Sequence, residues 1–545
     1  MSPEFFALNL ADYLTEILLF LTVFFFLFSI IKKKQDLSED GYSYPPGPFR
    51  LPLIGNLLGL KDGEKYLSSL VPRYGDVFTI YMGDIPVVVV NSTKTAKELM
   101  EDPNLFNERA PAPVLNDYFK GRGLAGAHHP NGFWKDQRKF VSNIIRTLSG
   151  SGYKSFEVKL QEEINYLKKN IRQKADGRPF DILQSLQMTA ANFIWVLTIG
   201  ERFHHNDGFH QNVVKLLYDS LQSMKYVTAS LIFPSMLRIP GNSVSKLFSY
   251  LDQLYVMLGQ KIKDYRGIKP SGGQTSEDFV GLFMKEMDKY KDDPSKAPAY
   301  LNEDNLLFVL QDFFLAGVDT TSSTLYWLFL YLARNPSIQR KAFAHIQSVS
   351  GHRNSVALED YGKLPFINAL VMETLRVTAM VPIVARSNIH DFEFRGHKIP
   401  QGTWFLFNFY NMANDASTWH EPASFIPERF LDTEGNLAWN ENFKPFGFGR
   451  RNCLGESMAK KEIFLLLANL LKEFEFSVED ESNLPTVEPN TGLMRVPQAY
   501  RVRVRDRSAK LTTNGHCKPS GLNVQSTLPL DIELWSSDVK LTCKN

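Results

Sequence analysis

The chain has 545 residues, of which 44% are hydrophobic and 13% aromatic, so it can bury a large core. A formal net charge of only +2 argues against a polyelectrolyte partner such as a nucleic acid. Three cysteines are too few for a disulfide framework and suit a reducing compartment. Length alone would predict about three or four domains.

The N-terminal segment predicts a membrane anchor. Residues 14–31 are mostly apolar and carry no charge except Glu16, and this is about the length that a helix needs to cross a hydrocarbon core. Three lysines follow at 32–34, whereas no lysine or arginine precedes them, so the positive-inside bias places the N-terminus in the lumen and the rest in the cytosol. A cleaved signal peptide is the alternative, but its basic n-region and small-residue cleavage site are missing. We therefore assign residues 1–34 to an uncleaved anchor.

A hinge and a small sheet are predicted next. Residues 35–55 are polar and then proline-rich, and the PPGP run at 45–48 cannot be helical, so it forms a stiff, extended spacer. Residues 76–91 predict two short strands joined by a turn. The sequon that begins at Asn91 would stay unmodified if this part faces the cytosol.

The next segments carry weaker signals. Glycines and prolines in residues 106–131 predict a flexible loop over a pocket. Trp134 and Arg138 follow at a spacing that places them on one face of a helix. Residues 268–299 are rich in glycine, proline and serine and then in charge, and they predict a surface connection.

A long helix is predicted from Asn302 to Arg334, and AGVDTT stands in its middle, beginning at Ala316. A glycine in a buried helix is costly unless something needs the space. The hydroxyl of Thr320 can donate to the carbonyl of Ala316, four residues earlier, and so open the helix. A groove with this hydroxyl and the Asp319 carboxylate could bind dioxygen and relay protons to it. The alternative is a kinked core helix with Asp319 facing solvent.

Two short patterns follow the long helix. Glu373 and Arg376 are spaced i, i+3 on a predicted helix, which usually means a surface ion pair. Residues 381–386 predict a short apolar strand that ends on Arg386, and the PERF run at 427–430 comes later in the chain.

The most informative stretch is FGFGRRNCLG at 446–455, directly ahead of an amphipathic helix predicted from Glu456 to Phe474. A cysteine at a helix N-terminus is stabilised as a thiolate by the helix dipole and backbone N–H groups. Gly449 and Gly455 let the backbone approach something large and flat, or adopt a positive φ. Arg451 can reach an anionic group beside a metal. The alternative is a buried structural cysteine at Cys453.

The pattern F-x-x-G-x-R-x-C-x-G resembles the haem-binding loop of the cytochrome P450 family. Four further motifs stand in the order expected of that family, namely WxxxR, AGxDTT, ExxR and PERF. The resemblance runs from Pro45 to Arg507 and is greatest for microsomal members that hydroxylate steroids, fatty acids and foreign compounds. It implies a mainly α fold with a small β subdomain over residues 56–507, behind an N-terminal transmembrane helix and a hinge. Residues 508–545 lie beyond it and are predicted to be a disordered extension.

The resemblance also implies roles for single residues. Cys453 would be the axial thiolate ligand of haem b, and Asp319 and Thr320 would be the catalytic pair that steers protons. Glu373, Arg376 and Arg429 would form a buried structural network. The other cofactor-binding residues would be Trp134, Arg138, Ala316, Arg386, Phe446, Gly449, Arg451 and Gly455. The substrate pocket would include Phe313, Leu315, Ala316, Val381, Ile383, Val384 and Met494.

The implied activity is a monooxygenase of the endoplasmic reticulum membrane that inserts one oxygen atom into a lipophilic substrate, such as a steroid, fatty acid, terpenoid or xenobiotic. With no dinucleotide fingerprint and no flavin domain in the sequence, electrons would come from an NADPH–cytochrome P450 reductase, with cytochrome b5 as a further partner. A basic docking face would include Lys135, Lys139, Lys444, Arg450, Lys460 and Lys461. The alternatives are a thiolate-haem isomerase or dehydratase that acts on peroxides without a reductase, and a non-catalytic haem sensor or lipid-binding protein.

Overall fold

The computed structural model describes residues 14–28, 41–110, 113–125, 134–149, 153–175, 177–204, 207–224, 242–268 and 278–507. Several predicted features therefore lie outside the described residues: the lysines at 32–34, the start of the hinge, the loop at 126–131 and the C-terminal extension at 508–545.

The N-terminal helix covers residues 14–28, and its side chains are largely exposed. Across the ranges given above, no helix combines the length and the apolar character that a membrane crossing requires. The predicted anchor, which extends to residue 34, stays a prediction.

Helices make up most of the fold. Those in the described ranges are α1 (14–28), α2 (Gly63–Tyr74), α3 (Thr93–Leu99), α4 (Pro113–Phe119), α5 (Trp134–Ser149), α6 (Tyr153–Lys174), α7 (Leu183–Ile199), α8 (Gly208–Met224), α9 (Ser243–Ile268), α10 (Phe279–Asp288), α11 (Glu303–Arg334), α12 (Pro336–Ser350), α13 (Pro365–Thr378), α14 (Phe409–Asn414) and α15 (Glu456–Glu473). Together with the small sheets, they confirm the predicted mainly α fold with a minor β part.

The largest sheet in the described part has four strands in the order β1-β2-β6-β3. The strands within the described residues are β1 (Val77–Met82), β2 (Ile85–Val90), β3 (Ile383–Ser387), β4 (Phe392–Phe394), β5 (His397–Ile399), β6 (Trp404–Asn408), β7 (Phe474–Val478), β8 (Pro489–Asn490), β9 (Val496–Pro497) and β10 (Val502–Asp506). β1 and β2 form an antiparallel hairpin in which Val77 faces Val90, as predicted for residues 76–91. β2 then pairs in parallel with β6, and β6 pairs antiparallel with β3.

Helix α11 runs through the centre of the fold. Its first turn is capped by Asn302, whose side-chain oxygen accepts a hydrogen bond from the Asn305 backbone N–H at 2.8 Å. The helix is apolar on nearly all sides, which is typical of a helix buried all round. It packs against α7, α9, α13 and α15, so side chains in its middle can face both the core and any opening in it.

The predicted surface connection at 268–299 is wrong over part of its length. Residues Phe279–Asp288 form α10, and the side chains of Phe279, Val280 and Phe283 are fully buried. Asp278 caps the start of the helix, and its carboxylate accepts a hydrogen bond from the Gly281 backbone N–H at 2.8 Å. The surrounding charge and glycine content hid this short amphipathic pattern.

The family resemblance implies a buried network around Glu373, whereas the i, i+3 spacing alone indicates a surface ion pair. The structure brings the members of the network together. Arg376 donates two hydrogen bonds to the Glu373 carboxylate at 2.8 and 2.9 Å, and Arg429 donates a third at 3.1 Å. Arg376 also reaches the carbonyl of Ala413. The paired charges thus fasten α13 to the 310 turn Pro427–Phe430.

The sequon at Asn91 has a structural reason to stay unmodified. Its side chain is buried and accepts a hydrogen bond from Asn408 at 2.8 Å. A glycan has no access to it in the folded protein.

Candidate active site

The loop before α15 places the Cys453 sulfur at the start of that helix. The Cys453 backbone N–H donates to the carbonyl of Phe446 at 2.8 Å, which closes the loop. Within this loop, Gly447 and Gly449 have φ values of +89° and +63°, which glycine adopts without strain. Gly455 has a φ of −87°, so the prediction of a positive φ applies to Gly449 alone.

The surroundings of the Cys453 thiol act on its pKa in opposite directions. The tip of the side chain is exposed, but protein surrounds the sulfur closely enough that burial raises the pKa of the thiol. Backbone N–H groups of Gly455 and Glu456 and the charge of Arg138 lower it, and burial outweighs them. The helix N-terminus alone therefore does not secure the thiolate predicted from the sequence, and a coordinating metal would do so.

Four guanidinium groups gather beside this loop, from Arg109, Arg138, Arg386 and Arg451. Burial and the charges of the others lower the pKa of Arg451 to about 9 and hold that of Arg386 well below its usual range. Burial is also the main cause that lowers the pKa of Arg109 to about 10. Asp312 lies near Arg109 and Arg451, and burial raises the pKa of its carboxyl to about 6 despite them. Positive charge is thus in excess here.

The arginines are held in place by backbone carbonyls. Arg138 donates to the carbonyl of Asn452 at 2.7 Å, and Arg386 donates to that of Arg451 at 3.1 Å. Arg451 donates to the carbonyls of Asn107 and Leu124 at 2.7 and 3.0 Å. These bonds tie the cysteine loop to α5, to β3 and to the segments before and after α4.

Trp134 completes the cluster. Its indole N–H donates to the Leu124 carbonyl at 3.2 Å, and the Arg451 guanidinium lies 3.7 Å from the centre of its ring. Arg138 lies on the same face of α5, 5.5 Å from the ring centre, as the spacing predicts.

The cluster fits a ligand that carries two carboxylates. Within the described ranges, Nη2 of Arg451 is buried and makes no hydrogen bond, and the Glu108 carboxylate lies 3.9 Å from it. A buried donor of this kind is costly unless something accepts a hydrogen bond from it. Guanidinium groups match carboxylates in shape as well as charge. A planar group with two carboxylates would pair with the arginines, and a metal in the same group would bind the Cys453 sulfur. Haem b has this composition.

The other wall of the site is the middle of α11. Ala316 is exposed although much of the helix is buried, so it borders an internal opening. The Thr320 hydroxyl donates to the Ala316 carbonyl at 2.6 Å, as predicted. Gly317 leaves room for Ile194 of α7, since a Cβ at this position would lie 2.7 Å from the Ile194 Cδ1. Helix α11 also packs on α15, whose N-terminus carries the sulfur.

Asp319 does not face solvent, so the alternative of a kinked core helix with a solvent-facing Asp319 is wrong. Its side chain is only 8% exposed, and its carboxylate accepts a hydrogen bond from the Gln187 amide of α7 at 3.2 Å. Burial raises the pKa of the Asp319 carboxyl, and the Gln187 bond partly offsets this.

Comparison with known proteins agrees with these features. The family model described as Cytochrome P450 matches residues 45–504, which is most of the chain. The chain belongs to the cytochrome P450 family. Members of this family are monooxygenases that carry haem with a cysteine thiolate on the iron.

Individual relatives match over nearly their whole length. The chain is 33% identical to cytochrome P450 2J5 of Mus musculus over 499 residues, covering 90% of this chain and 96% of the relative. It is 33% identical to cytochrome P450 2D27 of Mesocricetus auratus, covering 91% and 99%. It is 31% identical to cytochrome P450 2J2 of Homo sapiens, covering 84% and 91%.

The predicted pocket residues of this P450 divide into two groups. The Arg495 backbone N–H donates to the Met380 carbonyl at 2.8 Å, which brings the turn with Met494 beside Val381. The Thr324 hydroxyl, one turn beyond Thr320, reaches the Met380 sulfur at 3.5 Å. Val381, Ile383, Val384 and Met494 are all half-buried.

The pocket residues on α11 face its neighbours. Leu315 packs against the apolar cluster that includes Leu247 and Phe248 of α9. The Phe313 ring meets that of Phe279 in α10 edge to face, with ring centres 4.9 Å apart. Phe313 therefore supports α10 in this structure, whereas Leu315 lies under α9.

Sequence reasoning missed three site residues. Arg109 lies in an irregular segment with no motif, and only the fold brings it to the cysteine loop. Asp312 stands one turn before Ala316 on α11, and that spacing was the available signal. Its carboxylate accepts from the backbone N–H groups of Leu124 and Ala125. Gln187 had no signal, because its partner is on another helix.

Proposed function

We propose that the chain is a haem-thiolate monooxygenase of the endoplasmic reticulum membrane that oxidises a lipophilic substrate with electrons from NADPH. The observation that carries this proposal is the juxtaposition around the internal opening. Cys453 lies at the start of α15 beside an arginine cluster with an excess of positive charge, and α11, which packs on α15, carries the exposed Ala316 and the Thr320 hydroxyl.

The residues have separate tasks in this proposal. Cys453 would hold the iron, and Arg109, Arg138, Arg386 and Arg451 would bind the two haem carboxylates. Phe446 closes the cysteine loop, and Gly449 gives that loop its turn. Haem, when bound, supplies the reductive activation of dioxygen. The net reaction joins substrate, O₂, NADPH and one proton to give hydroxylated substrate, water and NADP⁺.

Asp319 and Thr320 would manage the protons. The Thr320 hydroxyl donates to Ala316 and keeps its lone pairs free to accept from water or ligand at the opening. The Asp319 carboxyl has a raised pKa, so it can hold a proton and release it nearer to neutral pH than an ordinary aspartate. The pair could thus pass protons into the site while the apolar walls exclude bulk water.

The substrate class follows from those walls. Half-buried apolar side chains at 381–384 and in the turn with Met494 lie next to Met380, which contacts Thr324 of α11. A steroid, fatty acid, terpenoid or foreign compound would be recognised mainly by shape and apolar area.

Electron supply and membrane attachment complete the proposal. An NADPH–cytochrome P450 reductase, with cytochrome b5 as a second donor, would dock on the basic face named from the sequence. The predicted anchor at 1–34 would hold the domain on the cytosolic side of the membrane. Both features would bring the chain close to a membrane-bound reductase.

The deciding experiment uses the full chain, loaded with haem and reconstituted with reductase in lipid vesicles. We expect a ferrous–CO Soret band with the red shift of a thiolate ligand, and its loss in Cys453→Ser. We also expect products from a panel of lipids, steroids and terpenoids that form only with NADPH. Rearrangement of peroxides without NADPH would favour an isomerase, and no product under any electron supply would favour a sensor.

A further inference from the structure

The hydrogen bond between Gln187 and Asp319 joins two buried polar side chains of different helices. The Gln187 amide nitrogen lies 3.2 Å from the Asp319 carboxylate oxygen. Gln187 is 9% exposed and Asp319 is 8% exposed. Buried amides usually bind backbone carbonyls or loops, as Gln339 does with Leu332 and Phe476. Gln187 instead binds the one acidic side chain next to Thr320.

The same face of α7 also shapes the groove of α11. Ile194 stands seven residues after Gln187, and so nearly two turns along one face. It occupies the space that Gly317 leaves open. Further along, the Trp195 ring lies 5.0 Å from the Phe314 ring, so the two helices run antiparallel here. This contact surface therefore fixes both the groove backbone and the Asp319 carboxyl.

Asp319 and Thr320 point in different directions. Consecutive helical residues are about 100° apart. Thr320 is half-exposed at the opening, whereas Asp319 is buried against α7. A carboxyl that serves the opening from this side must keep a defined orientation, and Gln187 is positioned to provide it.

We propose that Gln187 is a positioning residue for proton delivery in this P450: its amide N–H orients the Asp319 carboxyl and stabilises the carboxylate left behind when the proton departs. The inference rests on the proposed monooxygenase function. In the transfer the Asp319 O–H bond breaks, the proton moves toward the Thr320 side of the groove, and the carboxylate later regains a proton from water. An N–H donor stabilises a carboxylate more than a neutral carboxyl, so its loss makes Asp319 a weaker acid.

The expected consequence is a change in how the electrons of NADPH are divided between hydroxylated product and hydrogen peroxide. In productive turnover, NADPH electrons reduce O₂ to water and the inserted oxygen atom. If proton delivery from Asp319 is too slow, O₂, NADPH and one proton instead give hydrogen peroxide and NADP⁺. A weakened Asp319 should therefore shift NADPH consumption from product to peroxide without changing substrate binding.

The test uses the reconstituted full chain and the variant Gln187→Met, which keeps the side-chain length and removes the donor. We expect the fraction of NADPH that yields product to fall at least threefold, with a matching rise in peroxide. The solvent deuterium effect on kcat should increase, while KM for the substrate and the ferrous–CO spectrum stay unchanged. Gln339→Met removes another buried amide far from Asp319 and should leave the electron split unchanged.

A second measurement does not depend on turnover. The infrared difference between the parent and Asp319→Asn isolates the Asp319 carboxyl bands, and these should shift in Gln187→Met but not in Gln339→Met. If the bands shift but the division of NADPH electrons between product and peroxide is unchanged, Gln187 is only a packing contact and the proposal is overturned. Bands that do not shift in Gln187→Met would also overturn it. A parent that shows no NADPH-dependent product would refute the proposed function itself, whatever the infrared bands show.

Discussion

Buried charged side chains usually have an equal counter-charge, yet the four guanidinium groups beside Cys453 outnumber the nearby carboxylates of Asp312 and Glu108. Their depressed pKa values express the cost of this arrangement in the protein alone. A haem with two carboxylates would relieve that cost, so each arginine should contribute to haem retention. Arg109 is the most informative of them, because no sequence motif marks it.

We predict that Arg109→Met accelerates haem loss by roughly tenfold to a hundredfold, because a hydrogen bond to a charged group contributes about 1.5–3 kcal/mol. The measurement is the rate of haem transfer to an excess of a haem-free acceptor protein. Arg122→Met is the matched control, since Arg122 lies in the same region but pairs with Asp304 at 2.8 Å near the surface. Equal rates for Arg109→Met and the parent would place Arg109 outside the haem site.

At the scale of single residues, the sequence identifies side chains whose chemistry is set locally. Cys453 stands between glycines at a helix start, and Thr320 bonds to a carbonyl in its own helix. Arg109 and Gln187 act on partners far away in the chain, so no local pattern marks them. Their placement depends on how the loops and helices pack.

Helix α15 carries a buried acid that the proposed mechanism does not use. Glu462 is 2% exposed, and in the described part of the chain its Oε1 makes no hydrogen bond. Burial raises the pKa of its carboxyl to about 8. Because this value lies above that of the unfolded chain, the folded state binds more protons, and stability falls as the pH rises from about 4.5 to 8.

We therefore predict that Glu462→Gln removes this pH dependence. Relative to the parent, the variant should gain roughly 3 kcal/mol of unfolding free energy on going from pH 5 to pH 8. Urea unfolding at both pH values measures the difference. Glu434→Gln, on an exposed turn, is the control and should show no such gain. A constant difference between Glu462→Gln and the parent at both pH values would contradict the prediction.

The network on α13 should be far more sensitive to substitution. Glu373→Gln leaves the buried Arg376 and the nearly buried Arg429 without their carboxylate, and breaking such a set costs about 3–5 kcal/mol. We expect a sharp fall in the yield of folded, haem-loaded protein and a lower unfolding midpoint. Glu428→Gln alters a surface pair with Lys341 and should change neither. A variant as stable as the parent would show that the network does not hold the fold.

Elements with a strong period were predictable to within a residue or two. The long helix predicted from Asn302 to Arg334 is observed as Glu303–Arg334, and the last helix ends at Glu473 instead of Phe474. The helix Phe279–Asp288 was missed, because three buried residues within a charged segment give a weak signal. Long periodic runs average out local noise, and short ones do not.

At the scale of the whole molecule, order of motifs mattered more than length. Length suggested several domains, whereas five motifs in a fixed order predicted a single P450 domain. The family model matches residues 45–504, and the domain boundaries stay a prediction. The sheet order β1-β2-β6-β3 could not be predicted, because it joins strands more than 300 residues apart in sequence. Only the packing of the helices between them brings such strands together.

The face outside the cysteine loop should decide how the protein meets its electron donor. Trp439 is 55% exposed, and the ammonium groups of Lys444 and Lys460 lie 5.7 and 5.1 Å from its ring. An exposed tryptophan with lysines around it suits an acidic partner, because aromatic anchors dominate binding and charge directs the approach.

We predict that Trp439→Ala raises the Kd for the reductase about tenfold. Turnover driven by an organic hydroperoxide, which needs no reductase, should not change. Tyr218→Ala, another exposed aromatic residue, is the control, and an equal loss of affinity in both variants would refute a specific docking site.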